Sequence, residues 1–155
     1  MVGCRLDYAN SVLLGTSAKS MQYLHRIQSS LARVVTQQCG RINVTKTFKE
    51  LYWLPVKYRI DFKVATLTYK VLQTGEPSYL SSRISVDTPC RVIRSSSDTC
   101  RLAIPHFKTK IGSRAFRHSA SSIWNSLPFD IRNSSSTQSF KKRLKTNYFQ
   151  LAFDQ

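Results

Sequence analysis

The sequence predicts a small, mainly α-helical domain with a short β element near residues 100–104, and three observations lead there. Apolar residues recur at three- and four-residue steps along its long segments. Capping and helix-breaking residues stand at the ends of those segments. The chain's 155 residues, 41% hydrophobic and 11% aromatic, suit one domain with a real core and argue against wholesale disorder.

The first expected helix covers residues 18–38. Leu24, Ile27, Leu31, Val34 and Val35 share one face, and Lys19, Arg26 and Arg33, spaced by seven, form a stripe opposite it. Ser17 is the expected N-cap and Gly40 the terminator. A loop through residues 41–43 leads to a short helix over 45–52. Pro55 fits the first turn of the next helix, 56–73, where its missing N–H costs nothing. That helix is apolar on two sides, one carrying Ile60, Val64, Leu67 and Val71 and the other Phe62, Ala65, Tyr69 and Leu72. Arg59, Lys63, Thr66 and Lys70 run between them as a polar ridge, so the helix belongs in the middle of the packing. Gly75 and Pro77 end it.

Residues 78–110 read as a loop-rich, mobile connector, with Pro89, Pro105 and the run Ser95-Ser96-Ser97-Asp98 as breakers. Arg83, Arg91, Arg94, Arg101, Lys108 and Lys110 make it basic. Helical order returns over 111–125, where Ala115, Phe116, Ser119, Ile123 and Trp124 can share a face. Pro128 breaks the chain, residues 133–136 supply a turn and a cap, and a last helix runs over 137–153. Its buried stripe is Phe140, Leu144, Tyr148 and Leu151. The expectation is one domain, 1–155, made of a helical segment over 1–77, the connector 78–110 and C-terminal helices 111–155.

Charge is the second strong feature. Twenty-four Lys and Arg stand against eight Asp and Glu, giving +16 at pH 7. Such a surplus attracts polyanions. Nucleic acid is the commonest, because each neutralised phosphate releases counterions; an anionic membrane surface is the competitor. No apolar run is long enough to span a bilayer. Residues 1–15 lack the pattern of a secretory signal, so an intracellular place, nucleus or cytoplasm, is expected, with Cys4, Cys39, Cys90 and Cys100 reduced.

Several chemistries are disfavoured. Nucleotide transfer needs clustered carboxylates to hold two divalent metals. Here Asp7, Glu50, Asp61, Glu76, Asp87, Asp98, Asp130 and Asp154 stand singly, and the aromatic-x-Asp-Asp motif is absent. No glycine-rich phosphate loop exists. Cys90, Cys100, His106 and His118 could supply four zinc ligands, but spacings of nine, five and eleven residues lack the tight pair that structural sites use. A Cys39 nucleophile paired with His25 or His118 has no glycine elbow or oxyanion-hole signature beside it. Trp53 and Trp124 sit at helix–turn junctions and read as plugs locking helix ends, outside any binding site. The chain is therefore expected not to be an enzyme and to take no cofactor or metal.

Ser122-Ile123-Trp124-Asn125-Ser126-Leu127-Pro128, then Asp130-Ile131-Arg132 and Ser139-Phe140-Lys141-Lys142-Arg143-Leu144-Lys145, resemble the closing segment of the long open reading frame of non-LTR, LINE-type retrotransposons. Arg5-Leu6-Asp7-Tyr8-Ala9-Asn10-Ser11, Leu24-His25-Arg26-Ile27-Gln28, Leu51-Tyr52-Trp53-Leu54-Pro55-Val56 and Arg59-Ile60-Asp61-Phe62-Lys63 are similar to the same region in the same order. The resemblance implies the thumb and post-thumb tail of a reverse transcriptase, without the palm that carries its active site. It implies a grip on template–primer phosphates, with RNA, DNA or a hybrid as partner and association with a reverse transcriptase palm as a further one. Three basic groups fit such a grip: the stripe Lys19, Arg26 and Arg33, the ridge Arg59, Lys63 and Lys70, and the cluster Lys141, Lys142, Arg143 and Lys145. The alternative expectation is a folded relic or a protein-interaction module with only generic polyanion affinity.

Overall fold

The structure, a computed structural model, describes residues 7, 8, 10–37, 43–87, 101–109 and 111–154. Among these residues the chain is mainly helical, with no sheet, as the sequence predicts. Gly40, residues 41–42, Arg91, Arg94, the Ser95-to-Asp98 run, Lys110 and all four cysteines lie outside the described residues. The chain divides into two compact units, Met1–Lys63 with Lys145–Gln155, and Val64–Leu144.

In the first unit a 3-10 turn, Asn10–Leu13, precedes helix α1, Ala18–Thr36. Ser17 caps α1 as expected: its Oγ accepts the Ser20 N–H at 3.2 Å. The helix stops two residues early, because Gln37 turns left-handed at φ 51 and returns its N–H to the Val34 carbonyl. Its buried seam also differs from the apolar stripe. Gln28 and Ala32 are buried, whereas Val34 and Val35 are 74% and 56% exposed. The reason is a tertiary hydrogen bond: Gln28 Nε2 donates to the Leu54 carbonyl at 2.7 Å, which turns a polar residue inward.

Helix α2, Val44–Glu50, is capped by Asn43, whose Oδ1 accepts the Lys46 N–H at 3.3 Å. It ends before the expected residue 52. The Tyr52 N–H returns to the Lys49 carbonyl at 3.2 Å and the Trp53 N–H to the Phe48 carbonyl at 2.9 Å. This is a Schellman motif, with Tyr52 at φ 52 where glycine is usual. A left-handed backbone costs a residue with a Cβ about 1–2 kcal/mol. Pro55 opens α3, Val56–Thr74, its carbonyl accepting the Arg59 N–H at 3.1 Å. Val56 and Ile60 fall in this unit's core, with Tyr148 from the last helix. Near the chain's end Tyr58 Oη donates to the Leu151 carbonyl at 3.3 Å, and Lys49 pairs with Asp154 at 3.0 Å on the exposed surface.

The second unit takes the remainder of α3, where Val64, Ala65, Tyr69 and Val71 are buried as expected. Thr66, assigned to the polar ridge from sequence, is buried too, and so is Thr68. Threonine hides easily in a helix because its hydroxyl can return to the preceding turn, as Thr68 Oγ1 does to the Val64 carbonyl at 2.9 Å. Leu72, by contrast, is 38% exposed. Gly75, at φ +71, follows the last residue of α3, as its position predicts.

After α4, Ser78–Ser81, and a 3-10 turn, Gly112–Arg114, come α5, Phe116–Ser126, α6, Phe129–Arg132, and α7, Thr137–Phe153. Helix α5 starts later than residue 111, and Ala115 is its exposed N-cap rather than a member of its buried face. That face is Ser119, Ala120, Ser121 and Trp124. Helix α7 matches its expected bounds. Ser136 caps it, its Oγ accepting the Ser139 N–H at 3.2 Å. Phe140, Leu144 and Tyr148 are buried, while Leu151, in the last turn, is 46% exposed.

Tyr69, Trp124 and Phe140 form the aromatic centre of this unit, with Tyr69 stacked on Phe140 at 4.3 Å between ring centroids. The Tyr69 Oη donates to the Ser134 carbonyl at 2.7 Å, so the buried hydroxyl is satisfied. Trp124 is a plug, as the sequence predicts.

The expected β element is a single antiparallel bridge between Val86 and Leu102. The Ala103 N–H donates to the Ser85 carbonyl and the Asp87 N–H to the Arg101 carbonyl, both at 2.9 Å. The backbone groups of Leu102 itself go to a side chain. Asn125 Oδ1 accepts the Leu102 N–H at 2.9 Å and Asn125 Nδ2 donates to the Leu102 carbonyl at 2.8 Å. One amide thus does for Leu102 what a neighbouring strand would do.

Asp61, on α3 in the first unit, supplies a pH test. Burial pushes its carboxyl above the ordinary range, and the Lys57 ammonium partly offsets that. Burial, then the charges of Asp61 and Tyr58, raise the Tyr148 phenol as well. A carboxyl raised in the folded state stabilises the fold below its unfolded pKa, and that contribution is lost as pH rises through the folded value. Asp61→Asn is therefore expected to raise the denaturation midpoint at neutral pH and to converge on the wild type near pH 3, below the ordinary carboxylate range of about 4. Urea titrations across that range check it; a lower midpoint at neutral pH would contradict the assignment.

Candidate nucleic-acid interface

The first unit contains a cleft of about 520 Å³, built around the turn between α2 and α3. The Schellman turn delivers Tyr52, Trp53 and Leu54 to one wall. Arg59 and Lys63 sit four residues apart on α3 and therefore project from the same face one turn apart. Lys145 comes from α7, and Asp7 and Asn10 from the N-terminal segment. Three cations and one carboxylate line the cleft, beside the apolar surface of Leu54, Phe62 and Trp53.

The carboxylate is engaged. Arg59 Nη2 donates to Asp7 Oδ2 in a partly exposed ion pair. Asn10 is 4% exposed, and its Nδ2 lies 3.5 Å from the Arg59 carbonyl while its Oδ1 is buried with no hydrogen-bond partner. The cleft thus offers positive charge for an anion. Lys63 and Lys145 are exposed.

Tyr52 is the most exposed aromatic residue of this lining, at 71%. It lies nearly parallel to Phe149, 5.7 Å between centroids and 23° between planes, and Phe149 in turn meets Phe153 at 4.6 Å. The Phe149–Phe153 pair is tilted by 57°, so the near-parallel stack is the Tyr52–Phe149 pair.

Of the ten basic residues singled out from sequence, Arg59, Lys63 and Lys145 meet at this cleft. Lys19, Arg26 and Arg33 are exposed along α1 in the same unit, but they do not line it. Lys70, Lys141, Lys142 and Arg143 belong to the second unit and are exposed there. Arg143 Nη1 donates to the Asp130 carbonyl at 2.9 Å, an anchor on α6. The sequence cluster 141–145 is thus divided between the units.

Sequence reasoning passed over Tyr52 and Asp7 and placed Trp53 outside any site. A tyrosine in a left-handed turn carries no local signal, since glycine or asparagine is what marks such a position. Asp7 reads as one scattered acid until the fold sets it beside Arg59.

The second unit has a smaller cavity, about 220 Å³, lined by Tyr69, Trp124, Leu102 and the arginines Arg101 and Arg132. Arg132 is buried, its Nε donating to the Leu127 carbonyl at 3.0 Å. Among the described residues no group of three or more His, Cys, Asp or Glu is placed to hold a metal ion, and no helix is long and apolar enough to cross a membrane.

No family model matches the chain, and no curated protein or solved structure compared with it matches either.

Because Asp7 holds Arg59, removing its charge is expected to free the guanidinium for phosphate. Asp7→Asn should bind an oligonucleotide more tightly than the wild type by a few-fold. The stability cost should be small, since a partly exposed ion pair is worth about 0–1 kcal/mol. Fluorescence anisotropy beside thermal melting reads both quantities. Unchanged or weaker binding would mean that Arg59 does not face the ligand.

Proposed function

We propose that the chain is a catalytically incomplete remnant of a retrotransposon reverse transcriptase that binds RNA or DNA without sequence preference. The observation that carries this reading is the first unit's cleft, where Arg59, Lys63 and Lys145 converge beside an exposed aromatic ring. Phosphates supply the attraction, and cations on α1, α7 and the remainder of α3 enlarge the positive field around the chain. The net charge of +16 far exceeds what solubility requires and supports the same reading. The family assignment within the proposal rests on the sequence resemblance alone.

A second reading, a protein-interaction module that associates with a polymerase palm or with itself, draws on exposed apolar side chains. In the first unit Tyr8 is 86%, Val12 77% and Val34 74% exposed. Such surfaces mark association sites when they are contiguous.

Binding to a labelled RNA–DNA hybrid across a salt series, with heparin as competitor and sedimentation of the free chain alongside, separates the two. The proposal expects affinity that falls steeply with salt and survives a modest excess of heparin. Replacing Lys63 and Lys145 together with Gln should flatten the slope by close to two units, at roughly 0.9 per neutralised phosphate on a duplex. Weak binding that heparin abolishes, from a chain that sediments as an oligomer, would favour the second reading.

A further inference from the structure

The cleft of the first unit has features that generic phosphate attraction does not require, and Tyr52 concentrates them. Its backbone sits in the left-handed region at φ 52, where glycine would be free of strain. The residue is nonetheless 71% exposed. A bulky residue kept in a sparsely populated conformation at a cleft wall is a reason to look for a ligand-facing role. The ring is stacked near-parallel on Phe149. A planar heterocycle laid against the other face of Tyr52 would extend that pair.

The same cleft carries the charges that a nucleotide's phosphate needs. Arg59, Lys63 and Lys145 line it with Tyr52. Its volume of about 520 Å³ falls inside the roughly 300–1,000 Å³ of small-ligand pockets, enough for one nucleotide. A base paired within a helix has both faces covered by its neighbours. Only an unpaired base can offer a face to Tyr52.

We propose that this cleft is a binding pocket for one unpaired nucleotide of a single strand, its base stacked on Tyr52 and its phosphate held by Arg59, Lys63 and Lys145. The inference rests on the nucleic-acid reading above and adds to it a subsite that selects unstacked bases over bare phosphate backbone. Sequence preference stays low, because every base has an aromatic face.

The test compares a labelled oligothymidylate with an abasic strand of the same length, which has the same phosphates and no bases. Wild type should bind the thymidylate strand roughly tenfold more tightly, the scale of one base–aromatic stack. Tyr52→Gly removes the ring and suits the left-handed turn, and thermal melting checks that it folds; it should erase the difference between the two strands. Tyr52→Phe should keep the preference. Lys63→Gln with Lys145→Gln should weaken both strands alike. A preference that persists in Tyr52→Gly would overturn the pocket. So would a wild type that binds both strands equally, with the broader nucleic-acid reading left standing. A wild type that binds neither strand would overturn both.

Discussion

Backbone hydrogen-bond accounting over five residues, 51–55, governs the first unit's cleft. The Leu51 N–H closes the last turn of α2 on the Thr47 carbonyl, and those of Tyr52 and Trp53 return to Lys49 and Phe48. The Leu54 carbonyl takes the buried Gln28 amide. Pro55 has no N–H to place, and its carbonyl opens α3. Buried backbone groups must be paired somewhere, so this segment has little freedom. Without the Gln28 amide the Leu54 carbonyl would be left unpaired in the interior, at about 1–3 kcal/mol. That one bond ties α1 to the turn that presents Tyr52 and Trp53 and launches the helix bearing Arg59 and Lys63. The strain of a left-handed tyrosine is tolerated because its neighbours over-determine it.

The second unit solves a similar problem with a different amide. Leu102 is fully buried on a segment too short to pair along a sheet, and Asn125 satisfies its N–H and carbonyl together. The segment Trp124-Asn125-Ser126-Leu127-Pro128 has a structural job at nearly each position. Trp124 fills the aromatic centre, Asn125 clamps Leu102, the Leu127 carbonyl receives Arg132, and Pro128 caps α6. Its residues are explained by packing and backbone satisfaction rather than by contact with a ligand.

The helices were legible because their periodicity and ends are local properties. Ser17, Pro55, Gly75 and the serines before residue 137 mark boundaries that hold within two residues. What the sequence hid depends on partners far away along the chain. Gln28 is buried because Leu54, twenty-six residues on, offers a carbonyl. Val34, Val35 and Leu151 fit their stripes but occupy final turns of their helices, where a face can run past its packing partner. The ten basic residues could be found by composition, but their grouping could not. Only the fold separates Lys145 from its sequence neighbours and sets it in a cleft with Arg59 and Lys63. Tyr52 was the least legible of all, since its importance lies in a backbone angle that its side chain disfavours.

Charge in this chain is abundant, and its arrangement rather than its amount distinguishes a binding site from a solvated surface. Lysine-acylation footprinting, with and without a saturating single strand, tests that distinction most directly. The account predicts that Lys63 and Lys145 become shielded together, while Lys19, Lys70 and Lys141 keep most of their reactivity. Uniform shielding of every exposed lysine, or protection that spares Lys63 and Lys145, would contradict it and leave the cleft without a role in binding.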